Sequence, residues 1–229
     1  MQPFTISFPG GQHALGVSVT EKKELASAFK LLGLHASRPV LVLVGGASGL
    51  DAQHKAGIQN ILQTLAQIAQ HLQAALLDGG TRSGVMALMG ETYSNGKHSF
   101  PLIGVAVERK VRWPGNDKPE AHKEVEPRHT HFLFVPGSEW GEESIWLTES
   151  ASALALSQPS LTILINGGEI SRQDVLLSLQ AGRPVLVAAG TGRLADEFAA
   201  SPPSPLLHVV AATDLNALSS KLLALLTRS

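Results

Sequence analysis

The chain has 229 residues, of which 44% are apolar, and its 18 basic and 19 acidic side chains give a formal charge of -1. It is long and apolar enough to bury a core, which excludes a disordered protein. The balanced charge argues against a protein dedicated to nucleic acids or membrane surfaces. With no cysteine in the sequence, disulfides, thiolate zinc sites and thiol nucleophiles are excluded.

No apolar run reaches the roughly 18 residues of a transmembrane helix, and the first residues lack the basic and apolar segments of a signal peptide. We therefore expect a cytoplasmic protein. We also expect one domain over residues 1–229, with an N-terminal extension at 1–37 and a core at 38–229.

The N-terminal extension has the pattern of a hairpin followed by a helix. Residues 3–19 contain two short apolar segments on either side of Pro9-Gly10-Gly11, which is typical of a β-hairpin. Residues 21–32 repeat their apolar side chains on one helical face. The sequence leaves open whether this extension forms a lid, an edge strand or an interface.

After Arg38, apolar segments of strand length alternate with helical segments. The apolar segments are continuous, which is typical of parallel strands buried on both faces. The predicted strands cover residues 39–44, 74–77, 102–107, 130–135, 161–165, 184–188 and 206–210. The predicted helices cover residues 57–72, the segment up to 93, 142–156, 171–180, 194–200 and 214–226. This alternation predicts a Rossmann-like, doubly wound α/β fold with a mostly parallel sheet between two helical layers.

Residues 108–129 interrupt the alternation, because they are highly charged, contain Pro114, Pro119 and Pro127, and show no periodicity. We expect a long loop without regular structure. Such a loop is either a functional segment or a solvated excursion. The sequence does not decide between the two.

Four glycine-rich segments follow predicted strands. They are Gly45-Gly46-Ala47, Gly79-Gly80-Thr81-Arg82-Ser83-Gly84, Gly167-Gly168 and Gly190-Thr191-Gly192. Glycine lets a backbone approach a ligand closely, and a following helix offers unpaired N–H groups and the positive end of its dipole. This combination binds anions, most often phosphate. Because the carboxyl ends of parallel strands meet at one edge, the four segments predict a single ligand crevice.

Arginine and hydroxyl side chains adjoin these segments. Arg82, Arg172 and Arg193 each lie beside a glycine-rich segment, where a guanidinium suits phosphate or carboxylate. Thr81 and Ser83 could bind phosphate, cap the following helix, or do both. We expect the segment that contains Thr81, Arg82 and Ser83 to form one wall of the crevice, and the segment from Gly167 to Asp174 to form the opposite wall.

Histidines and tryptophans have two interpretations each. His129 and His131 are two residues apart, so on a strand they would point to the same side. Because a metal site needs a third ligand and none is evident, we expect no metal and favour a hydrogen-bonded histidine at the crevice edge. Trp140 and Trp146 could stack on a base, although such residues more often belong to the core.

Acidic residues cluster at the predicted helix that begins near residue 142. Glu142 and Glu149 are seven residues apart on one helical face, and a pair of carboxylates could do acid–base work. The simpler interpretation of Glu142 and Glu143 is the preference of acidic residues for the first helical turn. Arg128, just before a predicted strand, could reach a ribose or a phosphate.

Four segments resemble, in order, the landmarks of the SLOG superfamily: DGGTRSGVMALMG, PRHTHFLFV, LINGGEISRQDVL and PVLVAAGTGRLADEFA. The chain looks most like the N-terminal cytosolic domain of melastatin-type TRP channels and its free-standing prokaryotic relatives. The resemblance covers about residues 38–200 and implies a Rossmann-like domain that binds a nucleotide-derived ligand. Some channel relatives bind ligands of the ADP-ribose type. The superfamily also contains LOG phosphoribohydrolases and DprA-type DNA-binding proteins.

The resemblance implies ligand-binding roles for residues of each matched segment. These residues are Gly45, Gly46, Ala47, Gly79, Gly80, Thr81, Arg82, Ser83, Gly84, Arg128, Glu143, Gly167, Gly168, Ser171, Gly190, Thr191, Gly192 and Arg193. One segment departs from the LOG pattern Pro-Gly-Gly-x-Gly-Thr-x-x-Glu. Ile170 replaces its third glycine, Ser171 its threonine, and Asp174 its catalytic glutamate.

We therefore predict a non-enzymatic sensor or carrier whose partner is a nucleotide-derived small molecule, of the ADP-ribose, NAD-derived or nucleoside phosphate type. The sequence names no cofactor beyond this nucleotide-type ligand. The alternative is an N-glycoside hydrolase of LOG type, with Asp174 or Glu143 as its catalytic residue. A third interpretation is a protein–protein module whose exposed apolar helices form a homo-oligomer.

Overall fold

The computed structural model describes residues 1–35, 37–46, 52–116 and 120–227. Its strands are β1 (Phe4–Ser7), β2 (His13–Ser18), β3 (Val40–Gly45), β4 (Ala75–Asp78), β5 (Leu102–Val107), β6 (Val111–Arg112), β7 (Lys123–Glu124), β8 (His131–Val135), β9 (Ser160–Ile165), β10 (Val185–Ala189) and β11 (Leu207–Ala211). Its α-helices are α1 (Leu25–Leu31), α2 (Ala52–Leu72), α3 (Gly84–Asn95), α4 (Glu143–Ala155), α5 (Glu169–Gln180), α6 (Leu194–Ala200) and α7 (Leu215–Leu226).

Nine strands form one sheet in the order β1-β2-β8-β5-β4-β3-β9-β10-β11. The β1–β2 pair is antiparallel, and the other neighbouring pairs of this sheet are parallel. From β3 the chain winds through β4 and β5 to β8, then returns to β9 and continues to β11. Helices α2, α3 and α7 pack on one face, and α1, α4, α5 and α6 on the other. The predicted Rossmann-like, three-layer α/β/α fold is confirmed.

Strand β3 shows why these segments are continuously apolar. Val40, Val42 and Val44 point into one helical layer, whereas Leu41 and Leu43 point into the other. All five side chains are at most 2% exposed. Full burial of such a side chain stabilises the fold by about 1.5–3 kcal/mol relative to exposure, so both faces of the strand select apolar residues.

The N-terminal extension forms an edge of the sheet. The predicted hairpin is present as β1 and β2, and β2 pairs in parallel with β8, with Leu15 opposite His131. The predicted helix is also present, although it begins as a 3-10 turn at Lys22–Glu24 before α1. Helix α1 buries Leu25 and Phe29 in the same layer as α4. Of the three roles that the sequence left open, the described hairpin has that of an edge.

The prediction of a loop without regular structure at residues 108–129 is wrong for the described part of this segment, which we call the excursion. Strand β6 pairs in parallel with β7. Val111, Trp113 and Val125 are buried. Trp113 stacks on Phe134 of β8, with ring centroids 4.0 Å apart and planes inclined by 19°.

The apolar residues of the excursion are far apart in a charged sequence, so they produce no periodicity that a pattern could detect. They pack with the hairpin against Ala106, Phe132 and Phe134, which belong to β5 and β8. The excursion thus covers a part of the sheet as a helix would. In the described residues, no helix has both the length and the apolar character needed to cross a membrane.

Candidate functional site

A crevice of about 440 Å³ opens at the carboxyl ends of the central strands β3, β4 and β9. The chain leaves β3 towards β4 on one side and enters β9 on the other, so this edge is the topological switch point where doubly wound folds bind ligands. Ten residues with predicted ligand or catalytic roles line it. They are Gly45, Gly46, Gly79, Thr81, Ser83, Glu143, Gly168, Ser171, Asp174 and Arg193.

Eight other predicted ligand residues do not belong to this lining. Arg82 and Arg128 line a second cavity, described below. Six residues adjoin the crevice without belonging to its lining, namely Gly80, Gly84, Gly167, Gly190, Thr191 and Gly192. Ala47 lies outside the described residues.

The first wall of the crevice is the loop from Asp78 to Gly84, which packs tightly onto β5. A Cβ atom on Gly104 of β5 would lie only 2.6 Å from the Cα of Gly80 and 2.7 Å from the ring of Phe132. Both positions therefore require glycine. The Asp78 carboxylate accepts the N–H of Gly80 at 2.7 Å, which fixes the turn from below.

The excursion holds this wall from outside by backbone hydrogen bonds. The N–H of Arg82 donates to the carbonyl of Glu124 at 2.8 Å, and the N–H of Glu126 donates to the carbonyl of Gly80 at 2.8 Å. Thr81 and Val125 form an antiparallel bridge between these two bonds. The hydroxyls of Thr81 and Ser83, 2.9 Å apart, are thereby held in the crevice lining.

The opposite wall depends on Asn166, which adopts a positive φ of 58° at the end of β9. Its side-chain amide donates to the carbonyl of Thr191 at 2.7 Å and accepts the N–H of Gly167 at 2.9 Å. Its own N–H donates to the Thr191 hydroxyl at 2.8 Å, and that hydroxyl donates to the carbonyl of Ala188 at 2.7 Å. Asn166 and Thr191 thus join the loops that follow β9 and β10.

Asp196 organises the loop after β10. Its carboxylate accepts the N–H groups of Gly190 at 2.5 Å and Gly192 at 3.2 Å. The chain's own carboxylate therefore already engages two N–H groups that the sequence assigned to a ligand. Between this loop and the crevice, Arg193 has a φ of 55°. Its Nη2 would lie 2.7 Å from a Cβ on Gly168, so glycine at this position leaves room for the guanidinium.

Two helices begin at the crevice. Ser83 precedes α3, and the first residues of α5, Glu169, Ile170 and Ser171, belong to the lining. The first N–H groups of a helix have no partners within it and carry its positive dipole end. One of them is used, since the N–H of Val85 donates to the carbonyl of Gly46 at 3.2 Å. The start of α5 is the more direct anion-binding element of the two.

Asp174 and Glu143 place two carboxyl groups in the crevice. The pKa of Asp174 is raised to about 7, mainly by burial and in smaller part by the nearby Glu143 carboxylate, against a hydrogen bond with Ser144 that lowers it. Burial also raises the pKa of Glu143. The N–H of Gly141 donates to Glu143 Oε2 at 2.8 Å, and this hydrogen bond lowers the pKa by a smaller amount. Asp174 Oδ1 is buried and has no hydrogen-bond partner within the protein. Near neutral pH, a carboxyl group with the pKa of Asp174 can donate a proton.

The acidic pair that the sequence suggested is not formed. Glu149 contacts Lys22 at 3.7 Å, and Glu142 accepts the N–H of Ser138 at 2.9 Å. Glu143 meets Asp174 instead because α4 and α5 pack together, a contact that no local pattern records. Of the two tryptophans that were considered, Trp140 lines the crevice, whereas Trp146 is buried in the core.

The two histidines engage different partners. His129 precedes β8, so strand alternation does not apply to it, and its Nε2 lies 2.8 Å from Asp78 Oδ1 in a hydrogen bond beneath the first wall. His131 lies in β8, where its Nδ1 is 2.7 Å from the Thr130 hydroxyl. Burial lowers the pKa of His131 to about 4.

Three residues with clear roles were missed by sequence reasoning. Lys123 of β7 lines the crevice, whereas Asn166 and Asp196 organise its loops. Lys123 gave no signal, because it is one of many charges in the excursion. Asn166 did offer a signal. Asparagine tolerates a positive φ better than most residues, and Asn166 stands between an apolar strand and Gly167-Gly168, where a tight turn is expected.

The fold is shared with solved structures of low sequence identity. The molybdenum cofactor carrier protein of Chlamydomonas reinhardtii has 22% identity and a TM-score of 0.56, with 83% of this chain and 99% of that chain covered. The molybdenum cofactor binding protein of the phototrophic bacterium Rippkaea orientalis has 14% identity and a TM-score of 0.51, with coverage of 82% and 99%. These likenesses concern the fold. No curated protein matches the sequence.

A family model matches the chain itself. Its description is "SLOG in TRPM, prokaryote", and the match covers residues 38–224. These residues run from the start of β3 into α7, so they include the loops of both crevice walls. The chain therefore belongs to the prokaryotic family of SLOG domains related to those of melastatin-type TRP channels.

Proposed function

We propose that the crevice binds a phosphorylated ribose ligand, of the ADP-ribose, NAD-derived or nucleoside phosphate type, and that the chain senses or carries it. One observation carries this proposal: a single cavity combines the start of α5 and Arg193 with the carboxyl groups of Glu143 and Asp174. Helix N–H groups and a guanidinium suit phosphate, and carboxyl groups suit ribose hydroxyls. Trp140 offers a ring on which a base can stack.

Hydrogen bonds within the chain narrow the position of the phosphates. Gly190 and Gly192 donate to Asp196, and Gly167 donates to Asn166. The residues at the start of α5, Glu169, Ile170 and Ser171, belong to the crevice lining. We therefore assign the phosphates to the start of α5 and Arg193, and the ribose to the carboxyl pair.

The similar structures supply a competing ligand. The protein of Chlamydomonas reinhardtii carries molybdenum cofactor, and that of Rippkaea orientalis binds it. They support a small-molecule ligand but do not select a nucleotide. The test therefore includes molybdenum cofactor beside the nucleotides.

Calorimetry tests the proposal with ADP-ribose, NAD, AMP, cyclic nucleotides and molybdenum cofactor. We expect a nucleotide-type ligand to bind, and Arg193→Ala to weaken it at least about tenfold by removing a charged contact. Arg172→Gln is the matched control, because Arg172 contacts Glu197 at 2.6 Å and does not line the crevice. Binding of molybdenum cofactor alone would reject the nucleotide, and equal affinity in Arg193→Ala and the unmodified chain would reject the assignment of the phosphates to Arg193.

The carboxyl pair favours a second function, N-glycoside hydrolysis of a nucleotide. Asp174, with a pKa of about 7, could protonate the leaving base, while the Glu143 carboxylate stabilises the ribosyl cation or activates water. Water then adds to the anomeric carbon as the bond to the base breaks. Incubation with AMP or NAD and chromatography for free base tests this function. Base release no greater than that of a buffer blank would exclude it.

A further inference from the structure

A second cavity of about 580 Å³, larger than the crevice, lies between the hairpin tip and the excursion. The hairpin contributes Phe8 and Gln12, and the excursion contributes residues 112–114 and 124–128 except Glu126. None of the contacts proposed for the nucleotide involves this cavity. Its chemistry therefore calls for a separate explanation.

Among the described residues, three guanidinium groups line the second cavity against one lining carboxylate. Glu124 stands between two of them, with Arg112 Nη2 at 3.2 Å from its Oε1 and Arg82 Nη1 at 3.1 Å from its Oε2. All three side chains are about half exposed, at 48%, 57% and 48% for Arg112, Arg82 and Glu124. Two guanidinium groups that share one carboxylate have the geometry that an external oxyanion would use.

The third guanidinium is anchored from behind. Arg128 Nη1 donates to Glu126 Oε1 at 2.9 Å, and Glu126 is completely buried beside Gly90 of α3. This contact uses one nitrogen of a group that has five N–H donors. Because its partner cannot move into solvent, Arg128 keeps a fixed position in the cavity lining.

Apolar and planar groups form most of the remaining lining, beside Gly10 and Gln12. Phe8 and Trp113 are both 8% exposed, and Pro9, Pro114 and Pro127 lie beside them. An inorganic ion would leave these groups without a contact. An organic anion with a flat or apolar body would use both the guanidinium groups and these surfaces.

Strand β7 separates the second cavity from the crevice. Successive residues of a strand point to opposite faces, and Lys123 accordingly lines the crevice whereas Glu124 lines the second cavity. Likewise, Arg82 lines the second cavity while Thr81 and Ser83 line the crevice. One loop thus serves both cavities.

We propose that the second cavity is a separate binding site for a small organic oxyanion, held by Arg82, Arg112 and Arg128 in competition with Glu124. The group that is recognised is a phosphate ester or a dicarboxylate on an aromatic or apolar body. The internal carboxylate occupies the position of the ligand until the ligand displaces it. This site is independent of the nucleotide that is proposed for the crevice.

Fluorescence of Trp113 tests the site directly, in a chain in which Trp140→Phe and Trp146→Phe leave Trp113 as the reporter. The probes are phenyl phosphate and phthalate, which distinguish the two sources of the oxyanion, with phenol as the neutral comparison. We expect a saturable change with at least one anion and none with phenol. If the double variant does not fold, calorimetry of the unmodified chain with the same probes replaces it.

Four variants decide the outcome. Arg112→Gln should weaken binding at least about tenfold, and Arg109→Gln, an exposed arginine of the excursion outside the cavity lining, should leave it unchanged. Glu124→Gln should strengthen binding several-fold by removing the competing carboxylate, an effect that a merely structural ion pair would not produce. The proposal is overturned if neither anion binds, if Arg112→Gln binds like the unmodified chain, or if Arg193→Ala abolishes the signal.

Discussion

The crevice and the second cavity lie on opposite sides of β7 but are built by different means. The crevice is formed by loops at strand ends and a helix start, and its lining includes Glu143, Glu169 and Asp174 against Lys123 and Arg193. The second cavity is lined by residues of the excursion and the hairpin and by Arg82 of the first wall, with an excess of arginine. The first arrangement follows from the topology of the sheet. The second arrangement depends on how the excursion packs on the sheet.

The contact between Gly80 and Gly104 supports both cavities, so breaking it should have the largest effect. A Cβ on Gly104 would lie 2.6 Å from the backbone of Gly80 and 2.7 Å from the ring of Phe132, and neither can move away cheaply. We expect Gly104→Ala to lower the free energy of unfolding by about 4 kcal/mol. Urea denaturation measures this change.

Gly57→Ala is the matched control. Gly57 is exposed on α2, where a Cβ meets nothing within 4 Å, so alanine should be neutral or stabilise the helix by up to about 1 kcal/mol. Equal stability of the two variants would show that the first wall can shift away from β5.

Because of the carboxyl pair in the crevice, the free energy of unfolding should fall as the pH rises. The pKa of Asp174 is about 7 in the folded chain and 3.8 without the fold. Well below pH 3.8 the carboxyl is protonated in both states and costs nothing, whereas above pH 7 the folded state must bury its charge. We expect the free energy of unfolding to fall by about 2 kcal/mol between pH 5 and 7, as measured by urea denaturation.

Asp174→Asn isolates this effect, because the amide does not titrate. We expect the variant to lose most of the slope and to be more stable than the unmodified chain at pH 8, while binding the crevice ligand less tightly. Glu169→Gln, a change in the same helix at a highly exposed side chain, should keep the slope. An unchanged slope in Asp174→Asn would assign the pH dependence to other groups.

The sequence predicted the crevice because its signals are local and repeated. Each glycine-rich segment directly follows an apolar strand, so Gly45, Gly79 and Gly168 could be assigned to one sheet edge before any contact was known. The meeting of Glu143 with Asp174 was not predictable, because it depends on how α4 packs against α5. The second cavity was not predictable for the same reason. Arg82 and Arg112 are brought together by the excursion, whose sequence shows no periodicity.

Substitutions of Thr191 distinguish a ligand-binding role of this residue from a structural one. Its hydroxyl accepts the N–H of Asn166 and donates to the carbonyl of Ala188, and the side chain is only 2% exposed. Thr191→Val keeps the shape but leaves both groups unpaired, so we expect a loss of about 2 kcal/mol in the free energy of unfolding. Thr191→Ser keeps the hydroxyl and should stay close to the unmodified chain. If Thr191→Val loses much ligand affinity without losing stability, Thr191 contacts the ligand.

Asp214 provides a reference point away from both cavities. Its carboxylate accepts the N–H of Ala217 at 2.9 Å and caps α7, so Asp214→Ala should lower the free energy of unfolding by about 1 kcal/mol. Ligand affinity should not change, because Asp214 lines neither the crevice nor the second cavity. Urea denaturation and calorimetry on the same sample would check both values. If affinity falls with this small loss of stability, losses of binding in the cavity variants could reflect partial unfolding rather than lost contacts.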